Sequence, residues 1–318
     1  MRVYSANPQE AREVLRLTLA TGRQSAAELE AQVTVFIQYT RALGLALDEH
    51  WWCEADGRRC CACTCITSPG RTGMLVFPTS SLSGLQEAEL AEFIGAVVEA
   101  KSGSNLALLQ CLTQPEDTIL TQSLRRAGFR DISLLEYLDA DLSSAATLQW
   151  LDSARPEQPL LGTILTYSEA THQPLADLIA ATYQGSLDCP FLTDLRPMDD
   201  VIAGHQSAGR FDPRRWLIFL DSSGPAGCIL LNENPLHPVL EVVYMGVHPR
   251  LRRCGLGRRL LTEAFQLAHR EDITRVTLAV DACNDPARRL YAAAGFHEVM
   301  RRRAMVRVFP ASSFQPST

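Results

Sequence analysis

The spacing of apolar and polar positions is easiest to read after residue 160. TILTY (163–167) predicts a short strand. SEATHQPLADLIAATYQ (168–184) has a helical period, with Ser168 placed to cap it and Glu169 in the first turn. Pro174 suits a helix start, so regular helix is expected from nearer that residue. A loop, GSLDCPFLTDLRP, leads to a second helix near 198–208. RRWLIFLD (214–221) and AGCILLNE (226–233) alternate on either side of SSGP, the pattern of a hairpin. LEVVYMGVH (240–248) predicts a buried strand, residues 257–270 an amphipathic helix, RVTLAV (275–280) a strand and PARRLYAAAG (286–295) a helix. MRRRAMVRV (300–308) alternates, with Ala304, Val306 and Val308 on one face of an expected last strand.

The first half follows a similar order. Helical patterns cover 8–20 and 25–45, and HWWCEADGRRCCACTCI reads as strand, Asp-Gly turn, strand. GMLVFP (73–78) sits where YMGVHP (244–249) sits in the second half; a helix (85–100) and the strand ALLQCL (107–112) come next. Aligning Gly128-Phe129 on Gly295-Phe296 gives an offset of 167, and aligning Pro78 on Pro249 gives 171. The near-constant offset predicts two copies of one fold. LSSAATLQWLDSARPEQPLL (142–161), rich in Ser, Ala and Pro, reads as the linker between them. The expected division is 1–145, a linker at 146–160, and 161–318.

Composition agrees with this layout. A chain of 318 residues, 46% hydrophobic and 21% charged, is globular and long enough for two domains of about 150 residues. The N-terminal MRVYSANPQEAREVL has no apolar core of a secretory signal and no run is long enough to span a bilayer, so the cytoplasm is the expected location. That compartment favours free thiols for the ten cysteines. Cys60, Cys61, Cys63 and Cys65 lack the separated pairs of a zinc site; on a strand Cys61, Cys63 and Cys65 share one face as small buried side chains. No metal is expected. The net charge of −6 argues against nucleic acid, but residues 240–310 hold 13 Arg against 7 Asp and Glu, which suggests a local anionic ligand.

The anion site is expected at His248-Pro249-Arg250-Leu251-Arg252-Arg253-Cys254-Gly255-Leu256-Gly257-Arg258. Here a buried strand ends, a glycine loop turns and a helix begins. Successive N–H groups in such a loop point at one spot, the helix N-terminus adds positive potential, and Gly255 and Gly257 let the main chain come close. The spacing is neither that of a P-loop nor that of a dinucleotide fingerprint. It resembles the acetyl-CoA signature of the GNAT N-acetyltransferases, Q/R-x-x-G-x-G/A, through Arg252, Gly255 and Gly257. A second block of that family, Asn-x-x-Ala-x-x-Leu-Tyr-x-x-x-Gly-Phe, is matched by Asn284, Ala287, Leu290, Tyr291, Gly295 and Phe296. Two such halves in one chain are similar to the tandem layout of the mycothiol synthases.

The resemblance implies two tandem GNAT-like domains of α/β class, each a mixed, mostly antiparallel sheet flanked by helices, with a splayed central strand. It implies transfer of acetyl from acetyl-CoA to a primary amine, directly, in a ternary complex. The N–H groups of Arg253, Cys254, Gly255, Leu256, Gly257 and Arg258 would hold the pyrophosphate, with Arg252 beside them. Met245, Gly246 and Val247 would pair with the pantetheine arm, and Asn284 would touch it. Tyr291 would protonate the leaving thiolate. Glu241 is the candidate base, with a water relay as the alternative; it shares a face with Val243, Met245 and Val247 if no bulge intervenes. Asp188 would meet the acceptor, or be an ordinary loop carboxylate. His248 should face away from Val247's side. The first half, with Leu124 where Tyr291 aligns and Thr79-Ser80-Ser81-Leu82-Ser83-Gly84 for a loop, is expected to be non-catalytic, though able to retain a weak CoA site. The expected acceptor is a small polar amine, with protein amines as an alternative. A CoA-binding sensor without turnover is the competing class. No nucleic-acid or membrane partner is expected.

Overall fold

A computed structural model describes residues 1–22, 24–153, 162–193 and 195–310. Its elements are, in order, β1 (Arg2–Ser5), α1 (Ala11–Thr18), α2 (Ala26–Ala42), β2 (Ala46–Ala55), β3 (Arg58–Ser68), β4 (Thr72–Val76), α3 (Ser80–Ser83), α4 (Glu87–Lys101), β5 (Leu108–Thr113) and α5 (Thr118–Arg126). They continue with β6 (Arg130–Asp141), α6 (Ala145–Ser153), β7 (Thr163–Thr166), α7 (Glu169–Tyr183), α8 (Met198–Ser207), β8 (Trp216–Asp221) and β9 (Gly224–Glu233). The last are β10 (Val239–Val247), α9 (Leu256–Arg270), β11 (Arg275–Asp281), α10 (Asp285–Ala293) and β12 (His297–Val308). Among the described residues no helix is long and apolar enough to cross a membrane.

The chain divides into two compact units, one of Met1–Ser133 with the chain from Arg302 onward, the other of Leu134–Arg301. The boundaries therefore fall inside β6 and β12, not in a linker at 146–160. Each sheet is completed by a strand from the other half of the sequence. The first unit's order is β1-β2-β3-β4-β5-β12 and the second's is β7-β8-β9-β10-β11-β6. In both, the fourth and fifth strands are the parallel pair: β4 with β5, and β10 with β11. Part of the expected linker is helix α6, because Thr147 and Trp150, three apart, bury one face. The rest, 154–161, lies outside the described residues.

Helices cover both faces of each sheet. In the second unit, Leu260, Leu261, Ala264 and Phe265 of α9 pack with Leu240, Val242 and Leu278 on one face. Leu175, Leu178 and Ile179 of α7 pack with Trp216, Cys228 and Leu230 on the other. In the first unit, Cys61, Cys63 and Cys65 join Leu90, Phe93 and Ile94 of α4 in one core, while Trp52 and Ala62 face Val14 of α1. Met305, on the opposite face of β12 from Ala304, Val306 and Val308, is the strand residue that enters the first unit's core. The Asp-Gly turn joins β2 to β3 with both residues left-handed, Asp56 at φ 50° and Gly57 at 75°. Helix α7 starts at Glu169, not near Pro174. Thr171 Oγ1 accepts from Ser168 N at 2.7 Å, and this box holds a first turn that Pro174 does not interrupt.

The repeat is physical as well as textual. Gly128 N donates to Arg125 O and Phe129 N to Leu124 O; Gly295 N donates to Ala292 O and Phe296 N to Tyr291 O. Each Gly is left-handed (φ 83° and 90°) and each Phe is buried, so α5 and α10 end in the same cap. A Cβ on Gly295 would also meet Thr147 Oγ1 at 2.6 Å. Gly295→Ala is therefore expected to destabilise the chain by roughly 1–3 kcal/mol. Gly95→Ala, inside α4 with nothing within 4 Å of its Cβ, should stabilise it by about 0.5–1 kcal/mol. Urea denaturation midpoints shifting in opposite directions would bear this out.

Candidate active site

The site is built on β10. Its pairing with β9 runs Val242↔Leu231 and then Tyr244↔Leu230, which leaves Val243 as a bulge. Its parallel pairing with β11 runs from Val239↔Arg275 to Val242↔Leu278. Beyond the bulge, β10 keeps β9 as its registered partner and diverges from β11, whose own register continues with β6 to Asp281↔Leu135. The splayed strand expected from the family resemblance is present, and Val243 is where it begins.

The bulge overturns the expected face of Glu241. Leu240 and Val242 lie in the core beneath α9, and so do Met245 and Val247. Val243 and Tyr244 both pack on the α7 side. Glu241 is opposite Asn232, whose side chain accepts from Trp216 Nε1 at 3.0 Å and donates to His205 O at 2.7 Å, so Glu241 also lies on the α7 side. Strict alternation would have put Glu241, Met245 and Val247 together; the extra residue separates them. A Cβ on Gly246 would meet Thr182 Oγ1 at 2.9 Å, so this position faces α7 at close range.

At the end of β10 the chain turns through Pro249–Leu251 into α9. Arg253 is left-handed at φ 64° and so is Gly255, the N-cap of α9, at 82°. The first main-chain bond of the helix is Arg259 N to Gly255 O at 3.2 Å. The N–H groups of Arg253, Cys254, Gly255, Leu256, Gly257 and Arg258 meet no main-chain acceptor among the described residues. Six such donors at a helix N-terminus, with Arg253, Cys254 and Gly255 exposed, are the arrangement an anion requires. Gly257 is not left-handed, and a Cβ there would stand 3.4 Å from Leu290 Cδ2, at the edge of ordinary contact between α9 and α10.

Two of the loop's arginines are committed elsewhere. The Arg252 guanidinium donates to Thr182 O at 2.8 Å and Gly185 O at 3.1 Å, closing the C-terminus of α7. Arg258 lies 3.8 Å over the Trp150 ring and donates to Ser153 Oγ at 2.8 Å, tying α9 to α6. His248 Nδ1 accepts from Arg250 N at 3.3 Å, a structural role.

Asp188, Asn284 and Tyr291 converge across the splay. The Asp188 residue is exposed, but its carboxylate turns inward, accepting from Asp281 N at 2.8 Å, with the Asn284 side chain close enough to lower its pKa in part. Asp281 answers by accepting from Cys189 N at 3.2 Å and Cys283 N at 2.9 Å. Asn284 Oδ1 caps α10 by accepting from Ala287 N at 3.3 Å, which places its amide at the helix start near Asp188. The thiol of Cys189 and the two carboxylates lie within 4.8 Å of one another, but the main-chain bonds just described make this cluster a clasp between two loops. Enclosure raises the Asp188 pKa, and the Asp281 charge raises it further.

Tyr291 is buried in the α9-side core, and its ring lies 5.7 Å from that of Phe296. Burial, then the Asp188 charge, hold its phenol well above the usual range. The same charge is felt by Tyr183 and Tyr244. Sequence reasoning missed these two. Tyr244 OH pairs with Thr182 Oγ1 at 2.5 Å, and its ring lies 6.2 Å from Tyr183 and 5.2 Å from His205. Burial, helped by Arg196, pushes the His205 imidazole down to about 4, so it is neutral at physiological pH. Burial alone raises Glu241 above its ordinary value.

Residues 179–296 match the profile of the acetyltransferase (GNAT) family. This segment is a GNAT acetyltransferase domain. Over 93 residues the chain is 32% identical to the mycothiol acetyltransferase of Kocuria rhizophila; the match takes in 27% of this chain and 31% of that relative's length. In fold, a GCN5-related N-acetyltransferase from Sphaerobacter thermophilus superposes with a TM-score of 0.60 at 17% identity, covering 98% of this chain and 97% of its own. A tandem GNAT protein from the clavulanic acid biosynthesis pathway gives 0.52 at 15%, covering 98% and 99%. The fold is that of the tandem GNAT proteins, and the GNAT domain's loop and splay are those just described.

Arg252 makes a testable contact in the GNAT domain. Arg252→Met removes charge-assisted bonds to the last carbonyls of α7, a loss of about 1.5–3 kcal/mol. The expected result is a lower denaturation midpoint with faster amide exchange confined to residues 182–186. Unchanged exchange there would refute the clasp.

Proposed function

We propose that the chain is an acetyl-CoA-dependent N-acetyltransferase acting on a small polar primary amine, with chemistry in the second unit alone. The observation that carries this reading is the splay of β10 from β11 beside six N–H groups at the start of α9 that meet no main-chain acceptor among the described residues. A pyrophosphate fits those donors, and the main chain of Met245–Val247 is free on its β11 side to bond an extended amide arm.

The chain's residues then divide the chemistry. Glu241, on the α7 side, takes the proton that frees the amine's lone pair. An N–H of the splayed strand, at Val247, supports the oxyanion. Tyr291, kept protonated by burial, donates to the departing sulfur. Asp188 and the rings of Tyr183 and Tyr244 offer a protonated amine a carboxylate and aromatic faces on its way in. The mycothiol acetyltransferase likeness agrees with an amine of small-molecule class.

The first unit supports a single active site. Under the offset of 167, Asn284 corresponds to Asp117 and Tyr291 to Leu124. Asp117 caps α5 through Leu120 N at 3.0 Å and also accepts from Ser80 N at 2.8 Å and Ser80 Oγ at 2.5 Å. The chain's own carboxylate thus sits on the loop where the second unit leaves its donors open. Leu124 is fully buried and has no proton to give.

Calorimetry with acetyl-CoA is expected to show one site per chain, kept in Tyr291→Phe and weakened at least tenfold in Gly255→Glu, which puts a carboxylate at the cradle and strain at φ 82°. Turnover with a panel of small amines, followed as free CoA, should fall about 100-fold in Tyr291→Phe. Binding without turnover on any amine would leave a CoA sensor and overturn the enzyme reading; two sites would overturn the single-site reading.

The pH profile tests the base. Glu241 keeps its proton to higher pH than a free glutamate, near 4.3, and works only when ionised. kcat/KM should therefore rise with pH along a limb above that value. Glu241→Gln should lose the limb and about 100-fold in kcat. A limb surviving in the variant would assign the proton to a water relay.

A further inference from the structure

Outside the GNAT domain, the first unit holds six cysteines: Cys53, Cys60, Cys61, Cys63, Cys65 and Cys111, all free thiols. Their burial is explained by packing, with one exception. On the β2–β3 hairpin, Cys53 pairs with Cys61 and Glu54 with Arg59, so Cys60 is an extra residue in β3. Plain alternation would turn Cys60 away from Cys61. The bulge instead sets Cys60 against the same core as Cys53 and Cys61. Cys60 Sγ lies 3.6 Å from Cys53 Sγ and 3.3 Å from Cys53 O.

We infer that Cys53 and Cys60 form a reversible thiol–disulfide site, a modification site independent of the transferase reading. Both strands are already hydrogen-bonded beside the pair, so bringing the sulfurs to the roughly 2 Å of a bond asks for side-chain rotation, not strand separation. Access sets the order of events. Cys60 is half-buried, whereas Cys53 is fully buried. Burial also pushes up the thiols of Cys61, Cys65 and Cys111, each to about 12, and raises those of Cys53 and Cys63, so these five are slow to react with a dissolved oxidant.

The oxidant is a small-molecule disulfide, RSSR. The Cys60 thiolate attacks one of its sulfurs; a Cys60–SR bond forms, the RS–SR bond breaks, and one thiol leaves after taking a proton. Cys53 then loses its proton, attacks the Cys60 sulfur and expels the second RSH. The chain loses two hydrogen atoms and RSSR becomes two RSH. Excess dithiol reverses both steps. The closed ring spans only residues 53–60 across a preformed turn, so the effect expected is a change of thiol chemistry with little gain in stability.

The sequence supplies a clean readout, because trypsin cuts after Arg58 and Arg59 and places the two cysteines on separate peptides. The full chain is treated with oxidised glutathione, alkylated, and digested without reductant. The expected result is a peptide pair joined through Cys53 and Cys60, released by dithiothreitol. Cys60→Ser should lose the pair and return Cys53 as an alkylated free thiol; Cys60→Ala serves if the serine perturbs folding. Recovery of both residues as free thiols in the native chain, with glutathione confined to the exposed Cys254 and Cys283, would overturn the proposal. So would a Cys53 disulfide that persists in the Cys60 variants, since it would then run to Cys61.

Discussion

One extra residue, Val243, is the constraint from which the rest of the candidate site follows. A sheet strand has two neighbours and two faces, and β10 must change its relation to both within nine residues. Before the bulge it is paired on each side, to β9 and to β11. After it, β9 remains and β11 departs, so main-chain groups that a closed sheet would consume are left for a ligand. The same insertion turns Met245 and Val247 under α9 while leaving Glu241, Tyr244 and Gly246 toward α7. The two faces that the proposed function assigns to the acetyl donor and the acceptor are thus separated by backbone geometry before any side chain is specified. A second bulge, at Cys60, applies the same geometry in the first unit and brings sulfur to sulfur.

The two units show how little change removes a site from a repeated frame. Both place a parallel strand pair fourth and fifth in the sheet and end the following helix on a left-handed glycine before a buried phenylalanine. Both cap that helix with an Asx residue, Asp117 or Asn284. The amide of Asn284 accepts from its helix and keeps an NH2 donor near Asp188. The carboxylate of Asp117 can only accept, and it does so from the loop at Ser80. On the proposed reading, one atom's difference in donor capacity separates a cap beside an open site from one that fills its own loop. The exchange of closing strands adds a constraint on the whole chain, since a cut in 146–160 would deprive the first unit of β12 and the second of β6.

What could be read from the sequence was what repeats at a fixed period or demands a special backbone. The hairpins, α9 and the Gly255 loop were legible because alternation, helical spacing and a left-handed glycine leave marks on residue type. The bulge at Val243 left none, since any residue fits there, so the face of Glu241 could be given only on the condition that no bulge intervened. Tyr183 and Tyr244 carry no motif; only the approach of α7 to β10 shows that both lie in the field of Asp188, with the His205 ring packed on Tyr244. Arg252 carried the family's motif, yet its side chain answers to α7, a contact 70 residues away in sequence. The membership of β6 and β12 was hidden for a similar reason, because period gives a strand's faces but not its neighbours.

Burial sets the proton states on which the chemistry rests, and it does so in opposite directions for acids and bases. Removing water favours the neutral form of every group, so Tyr291 and Tyr244 stay protonated, His205 stays deprotonated, and Glu241 and Asp188 hold their protons more tightly than free carboxylates. A phenol held neutral is a donor ready for a thiolate. A carboxylate with a raised pKa is a stronger base once ionised. Asp188 is the one group whose charge reaches the phenols from α7, β10 and α10 together, raising Tyr183, Tyr244 and Tyr291 alike. An ammonium arriving at Asp188 would cancel that charge and ease the phenols' hold on their protons. On the roles proposed above, acceptor binding would make Tyr291 a better acid and so couple the filling of one side of the splay to chemistry on the other.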